Sequence, residues 1–511
     1  MTFFESLIAL LLVAVVLLQI ARRLGVPYPA MLALAGAGVA FVPGIPAIGL
    51  DPATALPLFI APVLLDAAFD FPLETAGRLW RPLLIMVVGA VLVTTAVVAW
   101  IGMVAAGLPL AAAVVLGAIV APPDAAAATA VARTVSLPRR TVAVLNGESL
   151  LNDATALLLF SGALALQMGD GSAARIGTHL ALAVPGGILV GVLLARVVRW
   201  VNRLVVNTLG GNLLQFATAY AVWLIAAHLD FSAILAVVAF AVAVARAPQS
   251  SDSPRMRVQS FAVWAAVVFV LNVTALLLMG LQAHTIIAGL APGRLAPSLR
   301  FAGLVILGVI ASRFAVVMSW NWLSRRFRAV RGGLAAPTVG GGIFVSWCGM
   351  RGLVTLVTAF ALPPAFPQRD LVVLAAFAVV LATLVGQGLT LVPLIKALGL
   401  DRLEDPDEEL KTARKRLVDA ALDRLRDHPD AMDLIRYFEA KRDKQADPDR
   451  ARWLEDRRLA GLDVVRAQRE ELRRMRAEDR ISTDTFYFLQ EEIDWRNLTL
   501  LPDEDRRIDE A

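Results

Sequence analysis

Apolar residues run along this chain in long blocks, separated by short polar stretches, until about residue 400. A helix that crosses a bilayer needs roughly 20 mostly apolar residues. Thirteen segments approach or reach that length: 4–21, 28–42, 53–70, 82–105, 109–132, 141–167, 176–199, 212–228, 231–246, 258–283, 299–323, 337–361 and 370–397. Two of them, 28–42 and 231–246, are short. The pattern predicts an all-α polytopic membrane protein with about thirteen transmembrane helices. Beyond Leu400, residues 401–427 and 449–479 keep helical apolar spacing within dense mixed charge, the mark of amphipathic helices in water. The expected organisation is a transmembrane domain over 1–400 and a cytoplasmic helical tail domain over 401–511.

Arginine placement orders the segments. Numbering the loops alternately puts 17 arginines on one side, from Arg22 and Arg23 through Arg325, Arg326, Arg328 and Arg331, and four on the other: Arg175, Arg294, Arg300 and Arg369. Positive residues mark the cytoplasmic face. The N-terminus is therefore expected outside and the tail inside, at a cell membrane. An odd seventh span between two sets of six makes the halves inverted repeats, a common transporter plan. Both short spans come second in their half. The fifth span of each half is interrupted, by APPD at 121–124 and by GGGIFVSWCGMRG at 340–352. Matching broken spans point to a midplane binding site made by two unwound, crossing helices.

Composition narrows the chemistry. Hydrophobic residues make up 58% of the chain, above the usual soluble range of about 45–50%. Residues 1–400 hold 24 of the 48 Lys and Arg but 12 of the 43 Asp and Glu, so the overall charge of +5 joins two unlike parts and implies no nucleic-acid partner. The single cysteine, Cys348, excludes an internal disulfide and a Cys-rich metal site, and the four histidines have no ligating spacing. No cofactor is expected. The first segment lacks the basic leader and cleavage site of a signal peptide and is expected to remain as a span.

Ionisable residues inside hydrocarbon are costly and so are functional candidates. They are Asp66, Asp124, Glu148, Asp153 and Arg351, with Arg313 a weaker case. On a helix Glu148 and Asn152 share a face, as do Ser149 and Asp153. Ser149 and Asp153 can aim oxygens at one hard cation, and no soft ligand set competes. Asn152 puts a neutral amide where a second charge could have stood. Asp124, after two prolines, is suited to offset a half-helix N-terminus. Arg351 is expected to cover carbonyl ends or to pair with Glu148 or Asp124, because an unpaired guanidinium at that depth is very unfavourable. Asp66 reads equally as a ligand or as a span-end charge. A carboxylate shielded from water holds its proton more readily. Either a proton or a cation discharges it, and competition for one group gives exchange. One charge on Asp153 then swaps one proton for one cation with no net charge moved.

These residues carry a resemblance. GESLLNDATALLLF at 147–160 resembles the Asn-Asp motif of the electroneutral sodium/proton antiporters. APPDAAAATAVAR resembles their preceding unwound helix and VLLDAAF their third-span acidic motif. FVLNVTALLLMGLQ, WCGMRGLVTL and LVGQGLTLVPLIKALGL resemble their later spans. The likeness runs in order through about residues 5–400. EDRISTDTFYFLQEEIDW more weakly resembles the cytoplasmic extension of some bacterial members. The resemblance implies cation binding by Asp153, Ser149 and Asp66 with a backbone carbonyl at Pro123, where the family usually has threonine. The proline that usually follows the acid is Ala125 here. It also implies a supporting cluster of Glu148, Asn152 and Arg351, and a homodimer. The expected function is one-for-one sodium/proton exchange, with potassium/proton exchange as the alternative cargo. A channel or sensor, or an intramembrane protease, are the rivals from other classes. The sequence offers the protease no nucleophile with a base, and its aspartates sit on interrupted helices.

Overall fold

The computed structural model describes the chain except at residues 1–2, 25, 42–51, 70–72, 125–138, 170–172, 206–208, 246–253, 290–292, 328–337, 401–405, 429, 444–446, 479, 481–482 and 503–511. The described residues form helices and connections, with no strand among them. They divide into two compact units, 1–404 and 405–510.

In the first unit, helix is found in each of the thirteen apolar segments. The helices are α1 (Phe3–Leu24), α2 (Tyr28–Val39), α3 (52–69), α4 (Leu73–Ala106), α5 (Leu110–Val120), α6 (Arg139–Met168) and α7 (Ala173–Val205). There follow α8 (Leu209–His228), α9 (Ala233–Ala245), α10 (Pro254–Ala288), α11 (Leu295–Arg326), α12 (Val339–Trp347), α13 (Leu353–Phe360) and α14 (Arg369–Leu398). Five stretches, Val87–Ala106, Ala174–Asn202, Ala262–Ala288, Leu295–Arg326 and Arg369–Leu398, are long and apolar enough to cross a bilayer by length and composition. α2 and α9, with 12 and 13 residues, are short.

Packing sorts these helices into three groups. α4, α5, α6, α11, α12, α13 and α14 pack around the two interrupted segments, α3 joins α7, α8 and α9, and α1 and α2 lie with α10. Large apolar side chains on the outer faces stay uncovered, among them Leu12 and Val16 on α1, Leu189 and Trp200 on α7, and Leu307 and Trp322 on α11. That outward apolar surface is what a helix bundle shows to lipid.

Local sequence explains the irregularities. α3 contains a π turn at Leu56–Ile60, where Pro57 has no N–H to give to the usual ladder. α5 stops at Val120 because Pro122 and Pro123 follow. The second break lies later than its glycine run suggests. Gly340–Gly342 form the first turn of α12, capped by Thr338, whose Oγ1 accepts from Gly341 N at 3.0 Å. The helix ends at Trp347, and Cys348–Gly352 form the unwound stretch before α13. The glycine run serves packing instead: the Asn321 side chain occupies the space that a Cβ at Gly342 would need.

The second unit contains α15 (Pro406–Leu425), α16 (Met432–Asp443), α17 (Pro448–Ala477) and α18 (Thr483–Leu500), each packed on the next. Asp447 caps α17 through Asp449 N at 3.0 Å and Arg450 N at 3.2 Å. Its buried apolar residues are few, Ala440, Val465, Leu472 and Phe486.

Helices α2 and α10 meet almost backbone to backbone. A Cβ at Gly280 would stand 2.6 Å from Ala37 N and 2.7 Å from Ala33 O. Gly280→Val is expected to cost about 1–3 kcal/mol or more through overpacking, read as a lower thermal midpoint of the purified protein. Gly38→Ala, where no atom lies within 4 Å, is expected to leave that midpoint in place.

Candidate functional site

The two interrupted segments meet through their backbones. Asp124 N donates to Met350 O at 2.6 Å. Each break leaves helix-end carbonyls without intrahelical partners, and no water is at hand inside hydrocarbon to satisfy them. Arg351, 1% exposed, meets this need. Its Nε donates to Val120 O at 3.0 Å and its Nη2 to Ala121 O at 3.3 Å, at the end of α5. Its Nη1 donates to Gly349 O, just past the end of α12. One cation thus sits at the negative ends of two half-helices. Its backbone is fixed as well: Arg351 N donates to Thr383 Oγ1 at 3.0 Å. Thr383 begins a π turn, Thr383–Gln387, inside α14, and passes its own proton to Val379 O at 2.8 Å.

A second buried cation lies beside the first. Arg313, on α11, holds Glu148 of α6 with both ends of its fork, Nη1 to Oε1 at 2.5 Å and Nη2 to Oε2 at 3.0 Å. Arg313 Nη2 also donates to Val345 O at 3.1 Å, near the end of α12. The pair is 3% and 1% exposed. Gly349 separates the guanidinium groups, and a side chain there would meet Arg313 on one flank and Arg351 on the other. Of the alternatives open for Arg351, the structure shows the carbonyl ends and not Glu148. Arg313, the weaker candidate in the sequence, takes both carboxylate oxygens, while Arg351 turns to carbonyls. The signal was present in the sequence, since Arg313 and Arg351 are the two arginines well inside predicted spans rather than at their ends.

Asp124 and Asp153 complete the charged cluster. The Asp124 carboxylate lies against the Cα of Gly352, the residue that caps the N-terminus of α13. It is thus placed at the positive end of the half-helix from the other break. Its own onward segment, 125–138, including Ala125, lies outside the described residues. Pro123 is buried in the non-helical stretch beside it. Asp153, on α6 and 7% exposed, has Asp124 as its charged neighbour. In formal charge, among the described residues of this cluster, Glu148 and Asp124 balance Arg313 and Arg351, and Asp153 is left as a further acid.

The remaining sequence candidates are placed unequally. Asn152 is fully buried, and neither atom of its amide has a hydrogen-bond partner among the described residues. Asp66 is half-buried on α3, a helix that packs on α6. The backbone of Ser149 belongs to α6, but its side chain lies outside the described residues. Thr383 was missed by the sequence reading, and a lone threonine in an apolar span gives no pattern that would mark it.

Two interrupted segments meeting beside buried acids are the pattern of a class of integral membrane transport folds. Comparison with known proteins makes this specific. Residues 8–397 match the transmembrane sodium/hydrogen exchanger family. An uncharacterized Na(+)/H(+) exchanger of Mycobacterium tuberculosis is 31% identical over 460 residues, spanning 86% of this chain and 83% of the relative. A sodium, potassium, lithium and rubidium/H(+) antiporter of Bacillus pumilus is 27% identical over 491 residues, spanning 91% and 73%. The structure of the sodium proton antiporter MjNhaP1 from Methanocaldococcus jannaschii shares the fold, with a TM-score of 0.57 at 18% identity, over 78% of this chain and all of that one. The chain belongs to the sodium/hydrogen exchanger family and is a multi-pass membrane protein.

The Glu148–Arg313 pair is testable by a double-mutant cycle. Removing one partner, as in Glu148→Gln or Arg313→Met, is expected to cost about 3–5 kcal/mol, because the other charge is left buried and alone. The double variant should recover a large part of that loss, measured by urea unfolding in detergent. A double variant as unstable as the sum of the singles contradicts direct pairing.

Proposed function

We propose that this protein exchanges a monovalent cation, sodium first, for a proton at Asp153, one for one. The observation that carries this reading is the unmatched carboxylate of Asp153 within a cluster whose other charges balance. Arg313 and Arg351 are committed to Glu148 and to helix-end carbonyls, so neither serves as a standing counter-ion for Asp153. A proton or a cation supplies that missing charge, and the two compete. A site loaded with either is neutral within its cluster and crosses the low-dielectric interior at little cost. The empty site carries a net negative charge and resists the move. Alternating access with this rule couples the two flows.

Ser149, Asp66 and the backbone carbonyl of Pro123 are the proposed companions of Asp153 around the cation. Asn152 adds oxygen and N–H capacity without charge, which keeps the exchange electroneutral. Potassium/proton exchange is the second reading. It is favoured by the Bacillus pumilus relative, whose name spans sodium, potassium, lithium and rubidium, since oxygen ligands serve all these ions. The protein is proposed to sit in the cell membrane as a homodimer, N-terminus outside and tail in the cytoplasm.

Inside-out vesicles with an internal pH dye test the central residue. Sodium added outside is expected to collapse the proton gradient with the native protein and not with Asp153→Asn. Retained exchange in that variant would remove Asp153 from the mechanism. Stoichiometry is read with the potential clamped at two values. Equal initial rates are expected, because a net charge would add about 2.3 kcal/mol per 100 mV to the driving force. Sodium, lithium and potassium compared in the same vesicles give the cargo preference.

A further inference from the structure

The second unit, residues 405–510, carries a group of cations apart from the cluster around Asp153. Its surface is dense in charge, and most of that charge is paired at short range. Arg424 meets Asp427, Arg426 meets Asp423, Arg458 meets Glu455, Arg466 meets Asp463 and Arg474 meets Glu471, each three residues apart. Three neighbouring cations on α16 and α17 are among those outside these pairs. Arg436, Lys441 and Arg457 make no ion pair with a described carboxylate; they lie over aromatic rings instead. Arg436 is 5.0 Å from the centre of the Trp453 ring, and Lys441 is 4.6 Å from that of Tyr437. Arg457 is shared, 5.5 Å from the Tyr437 ring and 5.4 Å from the Trp453 ring.

Three like charges are thus gathered over two adjoining rings, and all three side chains are exposed. Ring faces fix the direction of each cation but leave its N–H donors open to solvent. Of the acids nearby in sequence, Asp443 is engaged with Arg442 and Arg450, Asp447 with Arg450 at the α17 cap, and Asp449 with Arg452, while Asp433, Glu439 and Asp456 flank the trio with no described ion pair. The mutual repulsion of such a trio falls when a multivalent anion bridges its members, and the pre-set cations then bind it without first being ordered. The area is small, two rings across on neighbouring helices. That matches a compact anion better than a flat lipid surface, which calls for a broad basic array.

We infer that Arg436, Lys441 and Arg457, held over Tyr437 and Trp453, form a binding site for a soluble, multiply phosphorylated small molecule, recognised by its clustered phosphate oxygens.

Calorimetric titration of the full-length protein in detergent with tripolyphosphate, as its Tris salt, tests this. Saturable binding is expected, weakened on the order of tenfold by Arg457→Gln, the worth of one charge-assisted hydrogen bond. Arg436→Gln and Lys441→Gln should each weaken it similarly, and Arg466→Gln, which alters a paired arginine elsewhere on α17, should not. Circular dichroism confirms that each variant keeps its helix content. Equal binding by native protein and all three trio variants would overturn the inference. So would equal competition by Tris chloride at matched ionic strength, or flotation with anionic-lipid vesicles in the absence of any tripolyphosphate binding.

Discussion

The constraint on which the membrane unit depends is hydrogen-bond satisfaction where no water is available. Ending two helices inside the membrane unit exposes carbonyl ends that would each cost several kcal/mol if left bare. The chain meets that cost with arginine, whose five donors reach several carbonyls at once. Arg351 joins Val120, Ala121 and Gly349 in one group, and its own backbone is held by Thr383. The crossing is therefore one hydrogen-bonded object in which neither half-helix end stands alone.

That solution brings a second problem. A guanidinium at depth needs negative charge around it, and the need is raised because Arg313 Nε and Arg351 Nη1 lie 2.6 Å and 2.8 Å from the point where a Cβ at Gly349 would stand. Glu148 offsets Arg313, and the carbonyl ends, with Asp124 near Gly352, offset Arg351. The result is a cluster with little room for another fixed charge. Asp153 lies in that setting, and the exchange proposed above rests on its charge being the one left to vary. On that proposal, satisfying the broken backbone sets the electrostatic background for a single carboxylate.

Much of this was legible in the residues. The apolar blocks located the helices, and Pro122 with Pro123 located the first break, because proline acts through local covalent geometry. The second break was placed only approximately. Glycines 340–342 read as an interruption, yet they form the opening turn of α12 and make room for Asn321, a tertiary demand that leaves no local trace. The partner of Glu148 was hidden for a similar reason. Residues 148 and 313 are 165 positions apart, and spacing along one helix says nothing about which neighbour will face it. Arg351 read correctly as a cover for carbonyl ends, since that requirement follows from the break itself.

Two short helices, α2 and α9, bear on how the membrane unit meets a bilayer. At 12 and 13 residues they rise about 18–20 Å, well short of a hydrocarbon layer of about 30 Å. Both lean on the crossing: α2 packs against the π turn of α14, and α9 against α6. Bulk solvent and headgroups must dip toward the protein's middle along these flanks, as they do around any helix too short for its bilayer. For the exchange proposed above, such flanks would thin the insulating barrier around the binding site and make the stroke between the two baths shorter than the membrane is thick.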